Sequence, residues 1–257
     1  MQQGDYILDR RIVSIVADIC AAHNYDIHTY SYDWVIEITH GDKTGKIFGY
    51  KFSLNDSASA NITQDKVASY EILNRHDVPA AAHYLLRTKA GLQSVDILGE
   101  VVLKPLIGTS GHLVQAFSST SEAQKYITGS AVEAWAISPR YEITREMRLI
   151  LLDDDILLSY EKRHPGLNGN LAMFNLGKGA VPHDIEPDPE TVQLARRAQR
   201  AAGLSVCAVD IVELSDGTQV VLEINDGIMM EHYSRHSLEN ATKAHAVYEE
   251  IVQRMVT

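Results

Sequence analysis

Residues 205–226 read SVCAVDIVELSDGTQVVLEIND. Two runs rich in β-branched residues flank Ser215-Asp216-Gly217, and a Ser-Asp-Gly turn between such runs is a strong β-hairpin signal. With Asp216 and Gly217 as the central turn residues, Ser215 pairs with Thr218, and counting back along both strands sets Asp210 opposite Glu223. Side chains alternate along a strand, so Glu223 and Asn225 share one face while Leu222 and Ile224 take the other. Directly opposed Cβ atoms lie about 4.5–5.5 Å apart, and like charges facing each other across strands are destabilising. A divalent cation removes that conflict, since magnesium takes oxygen ligands, typically one or two carboxylates with phosphates and waters. The alternative is a solvated hairpin face; Val206, Ala208 and Val221, apolar on the same faces, weigh against a fully wet one.

Working outward, residues 188–203 carry clear helix punctuation: Asp188 suits the N-cap, Pro189 the first helical position, and Gly203 lies just past the end. AVEAWAI, TREMRLILL and DILLSYEKR read as strands, the last two joined by the acidic turn Asp153-Asp154-Asp155, and a final helix runs over 237–255. In the first half, Ile12, Ile15, Val16 and Ile19 form a helical stripe. HTYSYDWVIEITH and KIFGYKFSL alternate like a hairpin turning near Gly41-Asp42. A helix over 63–75 precedes Val78-Pro79, the strand EVVLKP enters a glycine-containing loop, LIGTSGH, and a short capped helix covers 119–128. There is no internal repeat and no low-complexity linker. Hairpins with flanking helices predict an α+β fold.

The 257 residues are 45% hydrophobic and 22% charged, enough for one substantial domain or two small ones. A net charge of −11 repels nucleic-acid backbones and anionic lipid, so neither is expected as a main partner. No apolar run approaches the roughly 20 residues of a membrane span, and MQQGDYILDRR lacks the apolar core of a secretory signal; a cytoplasmic location is expected. Cys20 and Cys207 cannot form a disulfide framework or a four-ligand zinc site by themselves. Gly108 and Gly111 fit neither Walker nor Rossmann spacing, and there is no Gly-x-Ser-x-Gly elbow.

Seven segments carry a resemblance. In chain order, ITQDKVASYEILNRHDVPAA, VVLKPLIGTSGHLV, VEAWAI, REMRLILL, YEKRH, FNLGKGA and VDIVELSDGTQVVLEIND resemble the motifs of the ATP-grasp superfamily. The likeness is greatest to RimK-type glutamate ligases, cyanophycin synthetases and glutathione-forming ligases, and covers roughly residues 55–256. It implies two α+β subdomains sandwiching a nucleotide. Residues 1–60 would be a shortened N-terminal region left from a substrate domain, 61–130 the small subdomain with the glycine loop, and 131–257 the large subdomain with the magnesium hairpin. After Glu223-x-Asn225 the family continues towards Pro-Gly, whereas this chain reads Asp226-Gly227-Ile228-Met229-Met230.

The resemblance also implies roles. Lys66 and Lys104 would reach the nucleotide phosphates, with Gly108, Ser110 and Gly111 letting backbone amides approach them. Glu133, Trp135 and Ala136 would hold adenine, although Trp135 also reads as ordinary core. Glu146 would take the ribose hydroxyls and Arg148 lie near the phosphates, unless the two belong to a cross-strand salt bridge. Arg163 would steady charge during acyl transfer, flanked by Lys162 and His164 as substitutes, and Asn175 would lie beside the triphosphate. Asp210, Glu223 and Asn225 would hold one or two magnesium ions, with manganese able to stand in. Arg235, His232 and Tyr233 would line the substrate end, against the alternative that Met229 and Met230 are core and Arg235 a helix cap. The implied activity is ATP- and magnesium-dependent ligation of a carboxylate to an amine through an acyl phosphate, on an amino acid or small peptide; a homodimer is compatible with it. An ATP-grasp phosphotransferase and a nucleotide-binding subunit of a larger complex are the rival readings.

Overall fold

The computed structural model describes residues 9–87, 95–108, 111–163 and 174–257. Helix α1 (Arg11–His23) buries the stripe Ile12, Val16 and Ile19 and ends on Asn24 in the left-handed region. A meander follows: β1 (Asp26–Tyr30), β2 (Val35–His40), β3 (Lys43–Phe48) and β4 (Lys51–Phe52), paired in that order. Its β2–β3 turn falls at Gly41-Asp42, as the alternation predicts, and Ile36, Ile38 and Ile47 point into the core.

The helix expected over 63–75 is α3 (Lys66–Arg75), and a further short helix, α2 (Ser57–Ile62), precedes it. The Asp65 carboxylate accepts from the amides of Val67 and Ala68, an N-cap that starts α3 and makes Lys66 its first residue. Next come β5 (Tyr84–Arg87), β6 (Val101–Pro105), β7 (Gln115–Phe117), α4 (Thr120–Ile127) and β8 (Ala134–Pro139). The four strands make one antiparallel sheet, ordered β5-β8-β6-β7. Leu86, Leu103, Trp135 and Ile137 pack on one face of it with Ala123 and Ile127 of α4. Strand β8, which the sequence reading groups with the second half, thus hydrogen-bonds between β5 and β6, and the small sheet extends to Pro139.

The large sheet combines β9 (Ile143–Leu152), β10 (Asp155–Arg163), β11 (Val181–Asp184), β12 (Val206–Leu214) and β13 (Gln219–Asn225), ordered β11-β10-β9-β12-β13. Helix α5 (Pro189–Ala202), capped by Asp188 and closed by Gly203 at φ +70°, covers the face bearing Met147, Leu149, Cys207, Val209 and Ile211. Helices α6 (Glu231–Ser234) and α7 (Leu238–Val256) return the chain to the N-terminal meander. On this second face Ile150, Leu158, Tyr160, Val206 and Ala208 join the core shared with α1 and α7. The same face beyond them is charged.

The decisive hairpin differs from expectation in one detail and agrees in the one that matters. Leu214 donates to the Thr218 carbonyl, so Ser215-Asp216-Gly217 is a three-residue loop with Gly217 at φ +83°, one residue longer than expected. The ladder then shifts between Ile211↔Val221 and Asp210↔Glu223, with Leu222 as the extra residue. Asp210 therefore still stands opposite Glu223.

Three contacts tie the parts together. The amide of Ala81 donates to the Val221 carbonyl at 2.8 Å and that of Val221 to the Pro79 carbonyl at 2.9 Å, joining the segment before β5 to the large sheet. The amide of Ile228 donates to the Tyr50 carbonyl at 2.8 Å. The Asn55 side chain donates to the Val206 carbonyl at 2.8 Å and accepts from the amides of Ser205 and Val206 at 2.9 and 3.0 Å. Asn55→Ala strands two amides and a carbonyl at the start of a buried strand, so chemical denaturation is expected to show a loss of about 1–3 kcal/mol.

Candidate active site

Directly opposed residues of neighbouring strands share a face, and the register sets Arg148 of β9 opposite Asp210 of β12, which is opposite Glu223 of β13. One pleat away on the same face lie Glu146 of β9 and its opposite number on β10, Lys162. The result is a buried ion cluster. Arg148 donates to Asp210 in a fork, Nε to Oδ1 at 2.7 Å and Nη2 to Oδ2 at 2.6 Å. Lys162 Nζ lies 2.5 Å from Glu146 Oε1 and 3.1 Å from Asp210 Oδ1. Burial works against the Asp210 charge, but Arg148 and Lys162 overcome it and hold the carboxyl down at about 2. Burial raises the pKa of Glu146, with Lys162 opposing it. Two cations and two carboxylates balance, which is the condition for burying them at all.

The facing wall comes from the small sheet. Lys104 of β6 pairs with Ala136 of β8, so the two share a face. The Lys104 pKa is pushed down to about 8, first by burial, with Lys66 adding to it and Glu223 and Glu146 opposing it. Lys66 donates to the Gly108 carbonyl at 3.0 Å, and burial lowers its pKa against the pull of Glu223. From the large-sheet side Lys178 donates to the Gly111 carbonyl at 3.3 Å. Gly108 and Gly111 are thus each held through the carbonyl by an ammonium group. Glu223 accepts from Asn225 Nδ2 at 3.0 Å. Among the described residues no group of three His, Cys, Asp or Glu side chains is set to hold a metal, and both Asp210 oxygens are engaged by cations.

The structure therefore brings together Lys66, Lys104, Ala136, Glu146, Arg148, Asp210, Glu223 and Asn225. It moves others away. Arg163 is on the opposite face of β10, exposed and paired with Glu161 at 3.1 Å; Lys162, its flanking substitute, occupies the buried position. Trp135 faces the small core, its Nε1 donating to the Val132 carbonyl and its ring edge-on to Tyr126, so the core alternative holds. Glu133 is exposed, ahead of β8. Asn175 turns onto its own loop, where Oδ1 accepts from the Gly177 amide at 2.8 Å. Tyr233 is buried, stacked on Tyr160 with centroids 4.9 Å apart and donating to Asp184 at 2.8 Å. Arg235 donates to the Asp9 carbonyl and pairs with Glu231, clasping α6 to the start of α1, and Met230 is core. His232 is exposed, with its Nε2 beside Gly177. Ser110 and His164 lie outside the described residues. Lys178 and a buried histidine, His83, are absent from the sequence reading because neither carries a periodic or spacing signal.

A family model described as a RimK-like ATP-grasp domain matches residues 63–247. A probable alpha-L-glutamate ligase from Rhodopirellula baltica is 25% identical over 204 residues, covering 75% of this chain and 47% of that protein, so the chain spans about half its length. One from Pseudomonas entomophila is 26% identical over 222 residues, covering 75% of this chain and 70% of the relative. Among solved structures, a D-alanine–D-alanine ligase from Bacillus anthracis complexed with ATP superposes with a TM-score of 0.57 at 18% identity, covering 78% of this chain and 67% of the other. The D-cycloserine synthetase DcsG gives 0.56 at 18%, covering 74% and 71%. These likenesses show the fold.

The ion cluster makes a stability difference measurable. Asp210→Asn keeps the shape but leaves Arg148 and Lys162 short of a countercharge, and urea unfolding is expected to show a loss of about 3–5 kcal/mol. Arg163→Ala, on the exposed face, is expected to change stability by less than about 0.5 kcal/mol.

Proposed function

Because the chain belongs to the RimK-like ATP-grasp family, we propose that it is an ATP- and magnesium-dependent carboxylate–amine ligase. The observation that carries the reading is the cleft in which Lys66 and Lys104 of one wall face Glu223 and the Asp210–Arg148 fork of the other. Lys66 and Lys104 are point charges suited to a polyphosphate. Glu223 and Asn225 bring hard oxygens of the kind magnesium takes and would hold the ion that shields the polyphosphate and the transferring group, while Asp210, both of whose oxygens are engaged by Arg148 and Lys162, stands beside them as the anchor of those cations.

In the proposed reaction a substrate carboxylate attacks the γ-phosphorus, releasing ADP and forming an acyl phosphate. An amine then attacks the acyl carbon, phosphate leaves, and the nitrogen gives up a proton to form the amide. Arg148 and Lys162 are fixed by Asp210 and Glu146 before any substrate arrives, so they meet developing negative charge without reorganising. No protein nucleophile takes part; both cysteines are buried, which pushes the Cys20 thiol up to about 11 and Cys207 higher still. The relatives' names favour an amino acid, glutamate first, as one substrate. No helix among the described residues is long and apolar enough to cross a membrane.

Two measurements test this. With ATP and magnesium, sustained ADP release beyond one equivalent per protein is expected only when both a carboxylate and an amine are supplied, with the amide detected by mass spectrometry, and Glu223→Ala is expected to abolish it. Sustained ADP release without an amine, with a stable phosphorylated hydroxyl product, would make the protein a phosphotransferase. The ammonium form of Lys104 is the one that binds phosphate and is lost as pH rises through about 8, so ATP affinity by calorimetry is expected to fall between pH 7 and 9. The limit is about tenfold per pH unit, and Lys104→Arg should flatten the dependence.

A further inference from the structure

One buried acceptor in the cleft has nothing to accept. His83, just ahead of β5, is 4% exposed. Its Nδ1 lies 2.8 Å from the Ala81 carbonyl, and a carbonyl only accepts, so Nδ1 carries the proton and Nε2 the lone pair. No hydrogen bond reaches Nε2 among the described residues. Burial, then Lys104 and Lys66, push the imidazole pKa down to about 3, so it is neutral at any physiological pH. The same two ammonium groups locate it in the nucleotide cleft. Leu85 pairs with Ala136 and Ala136 with Lys104, so these three share a face, and the next step of the alternation beyond Leu85 is His83. Leaving such an acceptor unpaired costs about 1–3 kcal/mol, which a bound donor would recover.

We propose that His83 reads the base of the nucleotide, its Nε2 accepting a hydrogen bond from the exocyclic amine of adenine. Guanine carries an oxo group at that position, an acceptor set against an acceptor, and is rejected. The proposal rests on the ligase reading, through the placement of the phosphates at Lys66 and Lys104. ATP has one other kind of donor, the two ribose hydroxyls, and for those Glu146 on the facing sheet is the fitting acceptor. The base amine is the donor left for His83, one pleat along from the fully buried Ala136.

Calorimetry with magnesium and four nucleotides tests it: ATP, purine riboside triphosphate (hydrogen in place of the amine), GTP and 2′-deoxy-ATP. The wild-type protein is expected to bind ATP roughly tenfold more tightly than purine riboside triphosphate, the worth of about one buried hydrogen bond. It should bind GTP more weakly still. His83→Leu should bind ATP and the analogue alike, and His83→Gln, which keeps an acceptor oxygen, should restore part of the difference. Equal wild-type affinity for ATP and the analogue overturns the assignment and leaves the ligase reading standing. So does a loss in His83→Leu that is the same for both nucleotides, which would mean that His83 only positions Lys104, or a His83-dependent penalty confined to 2′-deoxy-ATP. No binding of any nucleotide by the wild type would overturn the ligase reading and this proposal with it.

Discussion

The Asp210 carboxylate, closed between the Arg148 fork and Lys162, is the constraint on which the rest of the large sheet depends. Three strands contribute to it, and each must present the right residue to the same face. A one-residue slip in any of them would turn a charge into the layer under α5, among Met147, Leu149 and Val209. Buried ion pairs add little stability over apolar packing of the same shape, while breaking one is costly. Their value here is geometric: they fix register, and they hold two cations at one end of a face whose other end, from Ile150 to Ala208, is ordinary core.

Much of this was legible from residues alone, and the failures share a cause. Alternation along a strand gives two sets of side chains but not which set faces the core. The resemblance sets Trp135 and Ala136 together at the adenine, and Arg163 with Lys162 as its substitute at the acyl group; of each pair the fold puts one member, Ala136 or Lys162, on the face that carries the charges. The Asp210–Glu223 opposition was reached although the turn is longer than expected, because the bulge at Leu222 restores the count. Strands β5, β7 and β11 carry no signal in the sequence because they are 3 or 4 residues long, too short for a period, and β11 contains Pro182.

The departure after Asn225 acquires a physical reading in the fold. Asp226 pairs with Lys51 at 2.6 Å, Gly227 bridges to Lys51 and Ile228 bonds to Tyr50, so the segment is spent on docking the N-terminal meander. Glu231 continues the task, accepting from the amides of Arg11 and Ile12 at 3.0 and 3.3 Å and so capping a helix more than two hundred positions earlier in the chain. Of the residues that the resemblance sets at the substrate end, Arg235 is held by Asp9 and Glu231 and Tyr233 by Asp184, while His232 is exposed.

Among the described residues the small sheet and the large one are joined by the short connection after Pro139, by the bridge from Ala80 to Val221, and by the contact of Lys178 with the Gly111 carbonyl. Val221 is the shared member: it pairs with Ile211 on β12 and exchanges backbone hydrogen bonds with Pro79 and Ala81. Glu223 is two positions beyond Val221 and His83 two beyond Ala81. A single rung of backbone hydrogen bonds therefore sets the spacing between the carboxylate wall and the imidazole.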